Sequence, residues 1–240
     1  MEIIKLKNVV KRYKKKIVLG PINLTIDSSS AIAVFGDNGA GKTTLCEIIS
    51  NSKSVSSGSI KYSFAYNEIP YLMGLNFQDQ KYPSSLTVKE IITFYYRLYK
   101  KQINNDEFKK MLKKFSIKPL FKNKIEHLSG GQRQRVNLCL ALFHKPRIFI
   151  GDEISTGLDI KTKVEVINFL KDQMKVNKIT LILVSHNWEE IQLLCKRVIF
   201  LRQGKIIDDT TVSAITKKYG SLLNYYLTKT KNRSLDAEVK

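Results

Sequence analysis

The sequence predicts an α/β fold for residues 1–240, with a mostly parallel sheet, an antiparallel β subdomain near the N-terminus and an inserted α-helical subdomain. Short apolar runs alternate with stretches of helical periodicity, which is the pattern of parallel strands joined by helices. The central apolar runs contain no polar alternation, as expected for strands that are covered on both faces. The two runs nearest the N-terminus do alternate, as expected for half-buried strands.

The periodicity assigns each element of the first 60 residues in turn. Residues 2–10 and 22–26 are predicted to be half-buried strands, and the run AIAVF at residues 31–35 is predicted to be a buried strand. Residues 43–50 carry a helical pattern. Residues 51–59 are rich in serine and are predicted to form a polar loop.

The rest of the chain continues the alternation after one interruption. About residues 84–135 form a charged and aromatic helical block, which we interpret as a subdomain inserted in the core. Two further buried strands are predicted at residues 147–153 and 179–186, with a helix at 161–175 between them. A short tail of about residues 209–240 completes the single predicted domain.

Composition sets limits on the compartment and the partners. Lys and Arg outnumber Asp and Glu by 41 to 21, giving a formal net charge of +20. Such a charge attracts polyanions, but a lysine-rich surface without any polyanionic partner has the same composition. Cys46, Cys139 and Cys195 lie far apart in apolar contexts, which favours buried thiols in a reducing cytosol. The N-terminus has no secretory pattern, and residues 179–184 are far shorter than the ~20 residues that span a bilayer, so a soluble cytoplasmic chain is expected.

A glycine-rich loop follows the buried strand at residues 31–35. Gly36, Gly41, Lys42 and Thr43 satisfy the pattern G-x-x-x-x-G-K-[ST], between a predicted strand and a predicted helix. Glycines let backbone N–H groups turn toward phosphate oxygens, and the helix N-terminus adds positive potential. Lysine reaches the β- and γ-phosphates and the threonine hydroxyl binds Mg²⁺, so a nucleoside triphosphate is predicted. The predicted nucleotide-binding residues are Gly36, Asp37, Asn38, Gly39, Ala40, Gly41, Lys42, Thr43 and Thr44.

Two acidic residues end the predicted strand at residues 147–153. A phosphate loop needs a second metal contact, and Asp152 is placed to hold Mg²⁺ directly or through water. Glu153 is the candidate to polarise the attacking water. An Asp-Glu pair at this place also occurs as a helix cap, but the glycine-rich loop favours the catalytic interpretation.

Further motifs identify a family. LSGGQ at residues 128–132, STGLD at residues 155–159 and His186 after the last predicted strand resemble the signature, D-loop and switch histidine of ATP-binding cassette (ABC) proteins. Gln78 resembles the Q-loop glutamine, with Gln80 as its rival, and Tyr13 resembles the aromatic residue that stacks on adenine. The motifs occur in the family's order over nearly the whole chain.

The resemblance implies a role for each of these residues. Glu153, His186 and Gln78 are the implied catalytic residues, with Gln78 contacting both the metal and the attacking water. Thr43, Gln78 and Asp152 are the implied Mg²⁺ ligands, and ATP is the implied nucleotide. In this family the signature contacts the nucleotide of a second chain, so two chains close head-to-tail over two ATP molecules and Asp159 links the two sites. The implied signature residues are Leu128, Ser129, Gly130, Gly131 and Gln132.

Three positions depart from the family pattern. Ile154 stands where proline usually follows the catalytic Glu, Gly151 replaces a large apolar residue, and Ser30 stands where glycine often makes a turn. We expect Gly151 to loosen the end of its strand. None of the three is a ligand of phosphate, metal or water, so a catalytically competent site is expected.

The resemblance favours the ATPase subunit of a transporter whose membrane-spanning subunits are separate chains, with a second cassette as homo- or heterodimer partner. The implied location is the cytoplasmic face of the membrane, and the short tail favours an exporter. The alternative is a non-transport ABC protein that acts on ribosomes or nucleic acid, but only one cassette is present and no nucleic-acid partner is expected. Intact Glu153 and His186 disfavour a cassette that binds ATP without hydrolysis.

An aromatic segment is the candidate docking site for the membrane chain. By resemblance, the helical subdomain has a groove that receives a short helix of the membrane subunit. Helical spacing predicts that Phe94 and Tyr95 face inward, which leaves Tyr82 and one or two of the other rings exposed in this groove. The alternative is that the rings pack only inside the subdomain. The rings of the segment are Tyr82, Phe94, Tyr95, Tyr96 and Tyr99.

Overall fold

A computed structural model of the chain describes residues 1–77, 82–83, 85–99 and 105–237. Its strands form two sheets. An antiparallel sheet of three strands has the order β2-β1-β4, and a sheet of six strands has the order β5-β6-β7-β3-β8-β9. The strands are β1 (Glu2–Tyr13), β2 (Lys16–Asp27), β3 (Ala31–Phe35), β4 (Ser57–Tyr62), β5 (Met73–Asn76), β6 (Ile148–Asp152), β7 (Thr180–Val184), β8 (Arg197–Arg202) and β9 (Lys205–Thr211).

Helices cover the larger sheet and form the helical region between β5 and β6. Short 3₁₀ turns lie at Tyr66–Glu68, Lys118–Leu120 and Ile125–His127. The α-helices are α1 (Lys42–Ile49), α2 (Ile69–Leu72), α3 (Val88–Leu98), α4 (Asn105–Lys114), α5 (Gly130–Leu142), α6 (Ile160–Val176), α7 (Trp188–Leu194), α8 (Val212–Tyr219) and α9 (Leu222–Ala237).

The larger sheet is parallel from β5 to β8, and only the β8–β9 pair is antiparallel. Every residue of β6 and β7 is buried, as their continuous apolar sequences predict. The predicted α/β class, mostly parallel sheet and N-terminal antiparallel subdomain are therefore confirmed. The polar loop predicted at residues 51–59 was wrong at its end, because β4 begins at Ser57 and pairs with the central strand β1.

Alternate residues of the central strands face two apolar cores. Ala33 and Phe35 of β3 belong to a core shared with α3, α5 and α6, whereas Ile32 and Val34 belong to a core shared with α1 and the antiparallel sheet. The period of two along a strand sends neighbouring side chains to opposite faces, so one short strand anchors both cores. The loop after Phe35 therefore follows a strand that is buried in both cores.

The helical region begins with a well-capped helix. Thr87 precedes α3, accepts a hydrogen bond from the Glu90 amide, and donates its own amide to the Glu90 carboxylate. Thr87 also pairs with Lys124 as an isolated bridge, which ties the start of α3 to the chain that leads toward α5. In the part of the chain that the structure describes, no helix is long and apolar enough to cross a membrane.

Candidate nucleotide-binding site

The glycine-rich loop lies at the carboxyl end of β3, between Phe35 and the first residue of α1. A Cβ atom at Gly36 would lie 2.0 Å from the Leu201 carbonyl oxygen, so the backbone there approaches β8 more closely than any side chain allows. Gly41 precedes α1 with φ +99°, a left-handed conformation that favours glycine. Packing and backbone geometry therefore require glycine at both positions.

The ammonium group of Lys42 is hydrogen-bonded to the backbone of this loop. Its Nζ donates to the carbonyl oxygens of Gly36 at 2.8 Å and Asp37 at 2.9 Å. Burial lowers the pKa of the ammonium group, against the attraction of Asp152 and Asp37. A phosphate oxygen offers this cation a charged acceptor in place of two neutral carbonyls, so the arrangement suits capture of a polyphosphate.

Thr43 and Asp152 come together from distant parts of the chain. Thr43 Oγ1 donates to Asp152 Oδ2 at 3.0 Å, and Asp152 is only 5% exposed at the end of β6. Burial raises the pKa of Asp152, while the bond from Thr43 opposes that shift. A hydroxyl beside a carboxylate is the hard-oxygen donor set that Mg²⁺ prefers, so these two residues fit that ion.

Glu153 projects into the same cleft from a constrained backbone. Its φ is +52°, a left-handed conformation uncommon for a non-glycine residue, and its amide donates to the Val184 carbonyl oxygen at 2.8 Å. Its carboxylate accepts from Thr156 Oγ1 at 3.2 Å and lies 4.0 Å from His186 Nε2. The bond to Val184 thus holds the Glu153 backbone against the end of β7, and the Glu153 carboxylate lies near His186.

A cleft of about 440 Å³ joins these groups. Within the described ranges, none of the signature residues lines this cleft. The cleft is lined by Val18, Asn38, Gly39, Gly41, Lys42, Thr43, Thr44, Asp152, Glu153 and His186.

The signature begins α5 and packs against the D-loop. The Ser129 side chain caps the helix by accepting from the Gln132 amide at 3.3 Å, and Gln132 Oε1 accepts from the Ser129 amide at 3.0 Å. A Cβ atom at Gly131 would lie 2.7 Å from the Gly157 carbonyl oxygen, so glycine is required where the two segments touch. Asp159 caps α6 by accepting from the Thr162 amide at 3.0 Å, and the Thr162 hydrogen bonds lower the pKa of Asp159.

Tyr13 lies apart from the phosphate loop, at the end of β1. Its ring is 40% exposed, and the Nζ atoms of Lys11 and Lys53 lie 5.3 and 5.6 Å from its centroid. An exposed ring with cations beside it can stack on a base whose phosphates carry negative charge. Gln78 and its rival Gln80 lie outside the described residues.

Sequence reasoning missed two residues that connect these motifs. Gln134 on α5 donates Nε2 to the Ile154 carbonyl oxygen at 2.9 Å, which ties the signature helix to the residue after Glu153. Glu190 on α7 is 1% exposed and accepts from the hydroxyls of Ser155 and Ser185. The signal for Glu190 was an acidic residue on the buried side of a short amphipathic helix, a position that requires partners.

The chain belongs to the ABC transporter family, because the family described as ABC transporter matches residues 19–156. It is 34% identical over 210 residues to a spermidine/putrescine import ATP-binding protein, PotA, of Spiroplasma citri, and spans 60% of that relative and 85% of itself. It is 31% identical to a nickel import system ATP-binding protein, NikE, of Staphylococcus aureus (strain MRSA252), covering 92% of that relative and 89% of itself.

Solved structures agree with this assignment. An "ATP binding subunit of ABC transporter" superposes with a TM-score of 0.84 at 21% identity, covering 95% of this chain and 99% of that one, which shows the shared fold. A dimeric, post-hydrolysis ATP-binding cassette, MJ0796, bound to ADP and Pi, superposes with a TM-score of 0.75 at 26% identity, covering 87% and 98%. The protein is therefore an ATP-binding and ATP-hydrolysing cassette of the ABC class, and the predicted family is confirmed.

Proposed function

We propose that this cassette powers transport through separate membrane-spanning subunits, by closing with a second cassette over two molecules of Mg-ATP. The observation that carries the proposal is the single cleft in which the Lys42 ammonium group, the Thr43–Asp152 pair and the Glu153–His186 pair converge. These three groups supply a cation for phosphate, oxygen ligands for Mg²⁺, and a carboxylate to polarise water. A bound Mg²⁺ would neutralise charge that develops on the phosphates.

The cleft residues have separate roles in ATP binding and hydrolysis. Lys42 leaves its two carbonyl partners and binds the β- and γ-phosphates, while Tyr13 stacks on the adenine. Glu153 orients the attacking water and accepts its proton, and His186, 4.0 Å from that carboxylate, donates to the γ-phosphate. The signature of the second cassette, from Leu128 to Gln132, completes the phosphate site.

The names of the relatives bear on the direction of transport. The short C-terminal tail favoured an exporter, but that expectation finds no support among the relatives above, both named as import proteins. The proposal places the cassette on the cytoplasmic face of the membrane, against its membrane-spanning subunits.

A groove of about 360 Å³ is the proposed docking site for a helix of the membrane subunit. Ile69, Leu75, Tyr95 and Tyr99 contribute to its lining. The ring of Phe94, 63% exposed, packs edge-on against Tyr95 with centroids 5.6 Å apart. The lining also includes polar residues, among them Ser50, Asn51 and Ser52, so the groove offers both apolar rings and hydrogen-bonding groups to a short amphipathic helix.

The predicted orientation of two of these rings was wrong. Phe94 was expected to face inward but points to solvent. Tyr82 was expected to be exposed, but its ring packs against the core and its hydroxyl is buried, where desolvation raises its pKa. Phe94 therefore replaces Tyr82 as the residue to test for binding to the membrane subunit.

Hydrolysis is tested with two variants of the cleft. Glu153→Gln is expected to bind Mg-ATP normally, to lose turnover by roughly 10²-fold or more, and to accumulate an ATP-bound dimer. Lys42→Ala is expected to weaken nucleotide binding itself, because it removes a phosphate contact. Near-normal turnover in the first variant, or unchanged binding of Mg-ATP in the second, would contradict the assigned roles.

The membrane partner is tested by purification from the native cell in detergent. The cassette is expected to co-purify with a polytopic membrane protein, and Phe94→Glu to reduce that association with ATP turnover retained. Val176→Glu is the matched control, because Val176 is 74% exposed on α6, outside the groove. A chain that instead sediments with ribosomes in a salt-sensitive way would replace the transport proposal with the alternative.

A further inference from the structure

The last described helix, α9, contacts the nucleotide loop directly. Tyr226 donates its hydroxyl to Asp37 Oδ1 at 2.8 Å, and Asp37 is the second residue of the glycine-rich loop. The Tyr226 ring packs edge-on against Phe35, the last residue of β3, with centroids 5.3 Å apart. It also lies 5.7 Å from the Trp188 ring, two positions after His186. One side chain thus touches both segments that flank the site of the γ-phosphate.

Other contacts hold α9 against the sheet and fix the position of Tyr226. Tyr225 is fully buried and donates its hydroxyl to Asp208 Oδ2 at 3.1 Å. Lys229 Nζ lies 2.7 Å from the same oxygen, and Arg202 donates to the Lys229 carbonyl oxygen at 3.2 Å. These bonds join α9 to β8 and β9. They hold the helix in place and so fix the position of the Tyr226 side chain.

Asp37, the residue that binds Tyr226, also forms a hydrogen bond with Lys42. The Asp37 carboxylate accepts from Tyr226, and the carbonyl oxygen of the same residue accepts from Lys42 Nζ at 2.9 Å. The Asp37 carbonyl also accepts from the Ala40 amide at 3.1 Å, which closes the turn. Holding the Asp37 side chain therefore fixes the turn that shapes the loop.

We propose that Tyr226 is a positioning residue that fixes the glycine-rich loop through Asp37 and thereby sets the affinity for nucleotide. The inference rests on the proposed phosphate-binding role of Lys42 and its loop. A loop whose turn is already ordered loses less conformational freedom when ATP arrives, so the ordered loop binds more tightly. Because the hydroxyl touches no reacting atom, its removal changes affinity and leaves the chemical step largely intact.

The test replaces single hydroxyls on neighbouring residues of α9. Tyr226→Phe keeps the ring contacts with Phe35 and Trp188 but removes the bond to Asp37. A hydrogen bond to a charged group contributes enough that its loss is expected to raise the Kd for Mg-ADP and the KM for Mg-ATP about fivefold. The kcat is expected to change by less than about twofold. Equilibrium titration and steady-state hydrolysis of the full chain measure these values.

Tyr225→Phe is the matched control, because it removes a hydroxyl from the same helix whose bond goes to Asp208 instead of the loop. The control is expected to keep the parent's Kd and KM, and thermal unfolding of both variants reports any shared loss of stability. Equal rises in Kd for the two variants would overturn the inference, because α9 would then act only as structural support. No rise in Kd for Tyr226→Phe would overturn it as well.

A double-mutant cycle with Asp37→Ala tests the route of the effect. If Tyr226 acts through Asp37, Tyr226→Phe adds no further rise in Kd to the Asp37→Ala chain. A full additional rise would overturn the inference. Lys42→Ala separates this result from the function of the loop. Unchanged nucleotide binding in Lys42→Ala contradicts the proposed loop, whereas weak binding there with normal binding in Tyr226→Phe contradicts only the role of Tyr226.

Discussion

The Cγ2 atom of Ile154 lies 2.4 Å from the point that a Cβ atom on Gly151 would occupy. Both residues depart from the family pattern, and the structure makes them partners: the fully buried Ile154 side chain fills the space that Gly151 leaves. Gly151 pairs with Asn76 of β5 and Leu183 of β7. The end of β6 is therefore packed and paired on both sides, contrary to the loosening expected for a glycine there.

We predict that Gly151 and Ile154 are energetically coupled. Gly151→Ala is expected to lower the free energy of unfolding by about 1–3 kcal/mol, because its methyl group overlaps Ile154. Ile154→Ala is expected to cost about 2–4 kcal/mol by leaving a cavity. The double variant is expected to cost clearly less than the sum, since the methyl group added at residue 151 occupies part of the space that the Ile154 side chain vacates. Urea unfolding of the four chains measures the coupling, and strict additivity would contradict it.

A second prediction concerns His144, which is 4% exposed beside α5. Its Nε2 lies 3.3 Å from the Met73 carbonyl oxygen, and its ring stacks on Tyr99 with centroids 4.4 Å apart. Burial lowers the pKa of His144 from 6.5 to about 4. Between these two values the unfolded chain binds a proton that the folded chain does not, so stability present above pH 6.5 is lost as the pH falls.

The loss is expected to be about 1.4 kcal/mol per pH unit between pH 6.5 and about 4. His144→Phe is expected to remove this contribution, so the parent loses stability relative to the variant as the pH is lowered. His127→Gln, at an exposed histidine, is the control and is expected to keep the parent's slope. Urea unfolding at a series of pH values measures the slopes. Parallel curves for the parent and His144→Phe would show that His144 does not carry the effect.

Glu190 supports a third prediction. Its carboxylate accepts from Ser155, at the start of the D-loop, and from Ser185 at 2.7 Å, directly before His186. Glu190→Ala releases both segments at once and is expected to lower kcat about tenfold through misplacement of Glu153 and His186. Nucleotide affinity is expected to change little, because the phosphate loop lies on another element.

Single-turnover hydrolysis and equilibrium binding separate these two effects of Glu190. Glu190→Gln retains an acceptor oxygen and is expected to keep more activity than Glu190→Ala. Glu189→Ala is the matched control, since Glu189 is the exposed neighbour on the same helix. An equal loss of kcat in Glu189→Ala would show that the effect belongs to the helix and not to the buried carboxylate.

The parts of the fold that could be predicted from the sequence are those with a local signal. The continuous apolar runs predicted β3, β6 and β7, and the spacing of Gly36, Gly41 and Lys42 predicted the glycine-rich loop between β3 and α1. The short strand β4 was hidden in a serine-rich stretch, because its pairing with β1 depends on a distant partner. The contacts of Glu190 and Tyr226 were not predictable for the same reason. Each of these contacts joins residues from separate elements, and the periodicity of the sequence does not indicate which elements are in contact.

The last prediction concerns the composite site with a second cassette. Ser129 begins the signature helix α5, and its hydroxyl caps that helix at the proposed position of the partner's γ-phosphate. Ser129→Arg places a bulky cation there and removes the cap, which is expected to cost about 1 kcal/mol of stability. ATP binding by the monomer is expected to remain normal, whereas ATP-dependent dimerisation and hydrolysis are lost. Ser129→Ala, which removes the cap without adding bulk, measures the contribution of capping alone. Light scattering with Mg-ATP in a Glu153→Gln background measures the dimer, and an unchanged dimer in Ser129→Arg would show that the signature is not at the interface.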